Sequence, residues 1–265
     1  MGKFDKLFWL DTKLFDLAGL AIQVKRLPYY ILNKDVIKRN IEIKKEKTSS
    51  TCYILGLGPS LKNVDLRKID GDVITVNSFC RIKQDIIKPK VYCIMDDIDY
   101  LSDDSTIIQD ATRMYPDAFF VLNGKYKKEA QKRIQGKVKS GYLFAWGGYF
   151  KSDKPIDICK ITPIMGNIVC YAIYLAMFMG YKRIILLGCD FNSFTSRKEL
   201  HCYQDDSDKT LSLSYELFCY SFCADTHYQL FNYARKHGIR IENATEGSLI
   251  DAYPSDKKQT NYYIK

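Results

Sequence analysis

From residue 52 onward the chain repeats one device: a short, β-branched apolar run that stops on a polar or glycine residue. The runs are CYILG (52–56), VITV (73–76), VYCIM (91–95), AFFVL (118–122), IILLG (184–188) and IRIE (239–242). Amphipathic stretches separate them. Runs this short and this apolar are strands covered on both faces, and the intervening segments are the helices that cover them. The pattern predicts an α/β fold: a mainly parallel sheet with helices on both faces. GNIVCYAIYLAMFMG (166–180) has the length of a buried helix, and THYQLFNYARKH (226–237) is an amphipathic one stopped by Gly238.

Ligands of such sheets bind at the carboxyl ends of the strands. The polar residues lie there: Gly56, Gly58, Pro59 and Ser60 after the first run, and Asn77 after the second. Asp96 and Asp97 follow the third, Asp190 the fifth, and Asn243 and Thr245 the last. Each alone is ordinary turn chemistry, but five polar ends on one rim predict a binding site. In GLGPSL the glycines let backbone approach a ligand, and Ser60 caps the next segment of chain while N–H groups face an anion. The turn has neither the third glycine of a dinucleotide fingerprint nor the Gly-Lys-Ser/Thr of a phosphate-binding P-loop.

The first 50 residues differ in character. Phe4, Leu7, Phe8, Trp9, Leu10, Leu14, Phe15, Leu17 and Leu20 recur near helical spacing, with Lys3, Lys6, Asp11, Lys13 and Asp16 between them. The run is too charged to span a bilayer or to form a signal-peptide core. Two readings stay open for this basic amphipathic extension. It is a helix packed on the domain or on a second copy of the chain, or an interfacial helix with Lys25 and Arg26 at anionic headgroups. The basic stretch Lys34–Lys47 then reads as a linker into a single domain over 51–265.

The net charge of +9 suits an anionic partner. The lysines are dispersed and no zinc-finger or helix-turn-helix pattern accompanies them, which argues against nucleic acid. Nine cysteines include no C-x-x-C pair, and Cys52, Cys93, Cys170 and Cys189 sit in apolar runs as small buried hydrophobes. That usage fits a reducing compartment, the cytoplasm.

Three histidines are candidates for proton transfer. His237 adjoins Gly238 at a helix end, where a cation suits the dipole. His227 near the start of that helix faces core or site. His201, in LHCYQDD, lies in a polar loop just after the GCDF strand end. An imidazole there accepts a hydroxyl proton. Asp97-Ile98-Asp99 matches the Asp-x-Asp that holds Mg or Mn in some glycosyltransferases, or else opens a helix.

In order along the chain, GLGPSLKNVD, VNSF, GNIVCYAIYLAMFMGYKRIILLGCDFN and a downstream His resemble the bacterial sialyltransferases of glycosyltransferase family 42. The related MptE-like group shares the pattern, and NATEGSLIDAYP is closer to its side. The resemblance spans about residues 52–254. It implies a Rossmann-like nucleotide-binding domain with a lid, here about 192–225, no required cofactor, and inverting, metal-independent transfer from a CMP-activated sugar, with a histidine base (His201 in the lid, or His227) and lid tyrosines that donate to the departing phosphate, for which Tyr203, Tyr215 and Tyr220 are the candidates. By the same resemblance, Gly56, Gly58, Pro59 and Ser60 form the nucleotide turn. Asn77 matches the asparagine after the second strand, Gly166 and Asn167 lie near cytidine, and Asp190 closes the rim. Leu57 and Asp96 or Asp97 replace family asparagines, which keeps both sialic acid and Kdo-type donors in view. The implied acceptor is a hydroxyl of a surface glycan or lipid-linked glycan at the inner face of the cell membrane. An MptE-like reaction, Mg-dependent diphosphate transfer to a pterin alcohol through Asp96, Asp97 and Asp190, is the rival.

Overall fold

The computed structural model describes residues 3–82, 84–195, 201–203 and 211–265; the side chains of residues 3–9, 11, 12, 15, 16 and 147 also lie outside the description. Seven strands form one parallel sheet. They are β1 (Thr51–Leu55), β2 (Asp72–Val76), β3 (Val91–Ile94), β4 (Phe119–Asn123), β5 (Lys139–Leu143), β8 (Arg183–Leu187) and β9 (Arg240–Asn243). Strands β6 (Ala145–Tyr149) and β7 (Thr162–Ile164) pair separately, also in parallel. The order in the large sheet is β5-β4-β3-β2-β1-β8-β9. The chain winds outward from β1 to β5, then crosses back to lay β8 on the other side of β1. Residue Tyr53 accordingly pairs with Val73 on one side and Ile185 on the other. This reversal opens a crevice beyond the carboxyl ends of β1 and β8.

Period-two alternation decides which face each strand residue covers. Cys52, Ile54, Ile74, Val76, Cys93 and Leu186 pack beneath α5 (Ile168–Met179) and the later part of α6 (Leu213–Lys236). Tyr53, Leu55, Tyr92, Ile94, Phe120 and Ile185 point the other way, against α3 (Ile107–Met114) and α4 (Lys127–Arg133). Short helices α2 (Ile98–Leu101) and α7 (Lys257–Tyr263) complete the set. The fold is therefore the expected Rossmann-like α/β sheet with helices on both faces. All six expected strands are present within a residue or two. Strands β5, β6 and β7 went unforeseen, because KSGYL and AWGGY carry glycines and too few apolar residues.

Two expectations are corrected. The helix expected over 226–237 begins at Leu213, capped by Ser212 whose Oγ accepts from Tyr215 N at 3.4 Å, so residues 213–225 of the expected 192–225 lid belong to this helix. The 34–47 stretch is not a linker. Helix α1 (Lys3–Lys38) runs through it into a 3-10 helix (Arg39–Glu46), and Asn40 and Ile43 are buried there. Asn40 sits under β5: its Nδ2 donates to Tyr142 O (2.9 Å) and Ile158 O (2.7 Å), and its Oδ1 accepts from Tyr142 N (3.0 Å). One amide satisfies three buried backbone groups.

The carboxyl half of α1 lies on β6 through Tyr29, whose ring packs on Phe144 and Trp146 and whose hydroxyl donates to Gly124 O. On the opposite side of the helix Leu10, Leu14, Leu17, Val24 and Ile31 are exposed, Leu17 by 64% and Val24 by 66%. The expected membrane-dipping side chains Phe4, Leu7, Phe8, Trp9 and Phe15 lie outside the described residues. No described helix is long and apolar enough to cross a membrane.

Replacing Asn40 by Ala strands those three backbone groups, and Asn40→Ala is expected to lower unfolding free energy by about 3 kcal/mol in urea titrations. A loss below about 1 kcal/mol would show that β5 does not depend on it.

Candidate functional site

The glycine turn is shaped by contact with β8. Gly56 N donates to Leu187 O (2.8 Å) and Gly58 N to Gly188 O (2.9 Å), so the β1–β8 ladder continues past both strands. A Cβ on Gly56 would stand 2.3 Å from Gly188 O, and one on Gly58 2.0 Å from Asp190 Oδ2. Gly58 has φ −66°, so steric room, not a left-handed backbone, requires glycine here. The expectation that Ser60 offers its N–H to a ligand anion is corrected. Ser60 N and Oγ both donate to the Asp190 carboxylate, at 3.1 and 2.7 Å. Burial raises the Asp190 pKa and the two Ser60 bonds oppose that rise. The anion held by this turn belongs to the protein.

Beyond it lies a cavity of about 530 Å³, lined among others by Gly56, Leu57, Gly58, Asn77, Asp96, Gly166, Asn167, Asp190, His201 and Tyr220. Pro59 and Ser60 stand behind its wall. Asn243 and Thr245 are buried and do not line it; Cys189 N donates to Thr245 Oγ1 (3.0 Å), and Asn243 Nδ2 donates to Ser248 Oγ (2.9 Å). They brace the β8 turn from behind.

Asn77 and Asp96 form the cavity's polar floor. Asn77 adopts φ +39°, an uncommon conformation for which Asn is among the better suited residues. Its carbonyl accepts from Tyr92 OH (2.7 Å), its Oδ1 from Met95 N (3.2 Å), and its Nδ2 donates to Asp96 Oδ2 (2.6 Å). The Asp96 side chain is open to the cavity yet ringed by protein. That desolvation, followed by the Asp99 carboxylate, pushes its pKa up to about 6 against the Asn77 bond; Asp97 adds to the rise.

The metal-binding reading of Asp97-Ile98-Asp99 is not assembled. Asp97 Oδ2 accepts from Lys125 Nζ (3.0 Å) and Tyr126 OH (2.7 Å), while buried Asp99 accepts from Ser105 Oγ (3.0 Å). The two carboxylates serve different elements. No group of three or more His, Cys, Asp or Glu suited to a metal occurs among the described residues.

His201 reaches the cavity because its neighbour is tied to the turn: Cys202 N donates to Leu57 O at 2.8 Å. Its ring stacks on Tyr203 (4.9 Å between centroids), which carries the Arg81 guanidinium on its face. Tyr203 touches the cavity through His201. Tyr220, on α6, lines the wall with its hydroxyl bonded to Ser193 N (3.1 Å), whereas Tyr215 is exposed. His227 is a core residue: its Nδ1 pairs with Tyr253 OH (2.9 Å), and burial brings its pKa down to about 3, so it stays neutral. His237 stacks on Tyr233 at the α6 terminus, its Nδ1 at 2.8 Å from Tyr233 O.

Helix α5 presents its amino end to the cavity. Asn167 Oδ1 caps it by accepting from Cys170 N (2.9 Å), and Ile168 and Val169 of the first turn line the wall. Gly166 makes room for α6, since a Cβ there would lie 2.4 Å from Cys223 Sγ. Sequence reasoning missed the Leu57–Cys202 tie and the Asp190–Ser60 clasp. Both join residues far apart in the chain, and one of them is main chain only.

No family model matches the chain, and no curated protein matches it. Among solved structures, the sialyltransferase CstII from Campylobacter jejuni in complex with cytidine-5'-monophosphate aligns with TM-score 0.49 and 16% identity, over 77% of this chain and 84% of that one. The monofunctional α-2,3-sialyltransferase Cst-I from the same organism aligns with TM-score 0.48 and 16% identity, over 79% and 82%. The parallel α/β architecture rests on the strand order itself.

An Asp pKa raised from 3.8 to about 6 makes ionisation of Asp96 cost stability. Its contribution is full below about pH 4 and lost as pH rises through 6. Asp96→Asn keeps an acceptor for Asn77 and removes the charge, so the variant is expected to melt above wild type at pH 8, with the gap closing by pH 4. Equal Tm differences at both pH values would contradict this assignment.

Proposed function

We propose that the protein is a glycosyltransferase that moves an acidic sugar, of the sialic acid or Kdo type, from a CMP-activated donor to a glycan hydroxyl. The observation that carries this reading is the cavity at the β1/β8 reversal, where Asn77 and Asp96 form a polar floor and His201 lines the same space. A nucleotide fits the general rule for ligands of such sheets. The lining includes no Lys or Arg among the described residues, so the donor phosphate would be met by the amino end of α5, whose first turn lines the wall. The sequence resemblance supplies the CMP donor and the metal-independent chemistry.

In this reading the acceptor hydroxyl attacks the anomeric carbon of the donor. The new carbon–oxygen bond forms as the bond to the phosphate oxygen breaks, the hydroxyl proton passes to His201, and CMP leaves with the electron pair. Tyr220 stands at the same wall to donate to the leaving phosphate, with Tyr203 holding His201 by stacking. The expected lid over 192–225 includes residues 196–200 and 204–210, which lie outside the described residues. The rival diphosphate transfer asks for Mg²⁺ on Asp96, Asp97 and Asp190, two of which are already committed to Lys125 and Ser60.

Purified protein offered CMP-sialic acid, CMP-Kdo, UDP-sugars and ATP, with and without EDTA, tests the reading. CMP-sugar turnover that ignores EDTA and falls at least about a hundredfold in His201→Ala is expected. Binding of ATP with Mg²⁺ alone would overturn it.

The acceptor in this proposal is presented at the inner face of the cell membrane, and α1 carries the protein there. Its outward stripe Leu10, Leu14, Leu17, Val24 and Ile31 is exposed, with Lys13 and Lys25 exposed beside it. Because Asn40 anchors the end of this segment, substitution is a cleaner test than truncation. Leu14, Leu17 and Val24 changed together to Ser should abolish flotation with anionic vesicles; retention equal to wild type would sink the membrane assignment.

A further inference from the structure

A second cavity, of about 360 Å³, opens beside the first. The two share a wall made of Asp96, Gly166, Asn167 and Ile168. Its far side is built by elements the first cavity does not touch: Ile22 and Arg26 from α1, Asn123 and Lys125 at the end of β4, and Trp146 from β6. A molecule seated there meets the contents of the first cavity across this wall, whose one charged group is the Asp96 carboxylate.

The charged groups of this second space are two cations, Lys125 and Arg26, and two carboxylates, Asp96 and Asp97, and they are not all paired with one another. Lys125 is paired with Asp97 at 3.0 Å, and Tyr126 OH donates to the same Asp97 oxygen. Asp96 is turned to Asn77 at the shared wall. Arg26 is left. Its guanidinium lies over the Trp146 ring, 4.9 Å from the centroid, and no carboxylate stands within ion-pair distance of it among the described residues. Trp146 is in turn fixed edge-on to Phe144 and packed by Tyr29, so the platform under the guanidinium is rigid. An arginine spread on an aromatic face keeps its edge N–H groups free to fork onto a carboxylate or phosphate. A cation held on a concave wall with no ion-pair partner among the described residues is suited to an anion, and the polar groups of Asn123 and Asp97 beside it suit sugar hydroxyls.

We infer that the second cavity is the acceptor subsite, and that Arg26 holds an anionic group, phosphate or carboxylate, of the sugar that receives the transfer. The assignment as acceptor rests on the transferase reading above; the assignment as an anionic sugar site does not. It also gives the amino-terminal helix a second task, since the helix whose outer side is apolar delivers this cation to the cavity from its inner side. An anionic sugar reaches the site either as a free sugar phosphate or as the head of a phosphate-linked lipid, and Arg26 reads the chemistry common to both.

Calorimetry separates the two assignments. N-acetylglucosamine 1-phosphate and its neutral methyl glycoside are titrated into wild type, Arg26→Gln and Arg26→Lys, after thermal unfolding has shown the variants folded. Wild type should bind the phosphate at least tenfold tighter than the glycoside. Arg26→Gln should erase that preference and Arg26→Lys restore part of it, while the Kd for CMP stays unchanged in all three. The same sugar phosphate on a lipid in phosphatidylcholine vesicles gives the source: a further gain over the soluble form points to a lipid-linked acceptor, no gain to a free one, and both uphold the site. A wild type without preference for the phosphate, or a preference that survives Arg26→Gln, overturns the proposal. Failure of CMP binding in wild type with the phosphate preference intact would refute the donor reading alone.

Discussion

The contact on which the candidate site depends is the approach of two strand ends that are about 130 residues apart in the chain. Gly56 and Gly58 leave β1 against Gly188 and Asp190 leaving β8, so closely that no side chain fits on the β1 side. The Asp190 carboxylate closes the gap onto Ser60 through two hydrogen bonds. This clasp sets the surrounding geometry. The ladder extends past the sheet, the β8 turn is fixed with Gly188 at φ +66°, and the floor of the cavity lies one strand over at Asn77. Thr245 and Ser248 hold the β8 turn from the far side, so the wall is rigid before any ligand arrives.

A rigid wall of this kind separates two jobs that a loop usually combines. The residues most typical of a ligand-binding turn, serine and aspartate, are spent on the protein itself. The groups left facing the cavity are the Asn77–Asp96 pair, the amino end of α5, and His201. Burial acts in different ways on titratable groups at the cavity and behind it. Asp96 is pushed toward neutrality while remaining accessible, and His227 is locked neutral in the core.

How much of this the chain discloses varies with the physics of each element. The six central strands are legible because burial on both faces demands unbroken apolar runs. β5 to β7 are not, because Gly141 answers to Asn40 pressing on it, and a glycine of that kind looks like a turn in sequence. The early start of α6 hides behind Tyr215 to Phe222, whose polar and aromatic mixture has no clear period. The strand-end residues Asn77, Asp96, Gly166 and Asn167 do gather around one cavity. Asn243 and Thr245 had the right chemistry at the wrong depth, since a strand end at the sheet margin turns inward to support its neighbour. The 3-10 segment after α1 reads as a charged linker because its one decisive residue, Asn40, is polar and works through main-chain partners.

Leu57 shows a different consequence of main-chain recognition. Its contribution at the turn is a carbonyl that receives Cys202 N, while its side chain packs on the core and lines the cavity. A carbonyl is supplied by every amino acid, so the tie that brings His201 to the cavity does not depend on which side chain stands at position 57, and that side chain is left to shape the cavity alone.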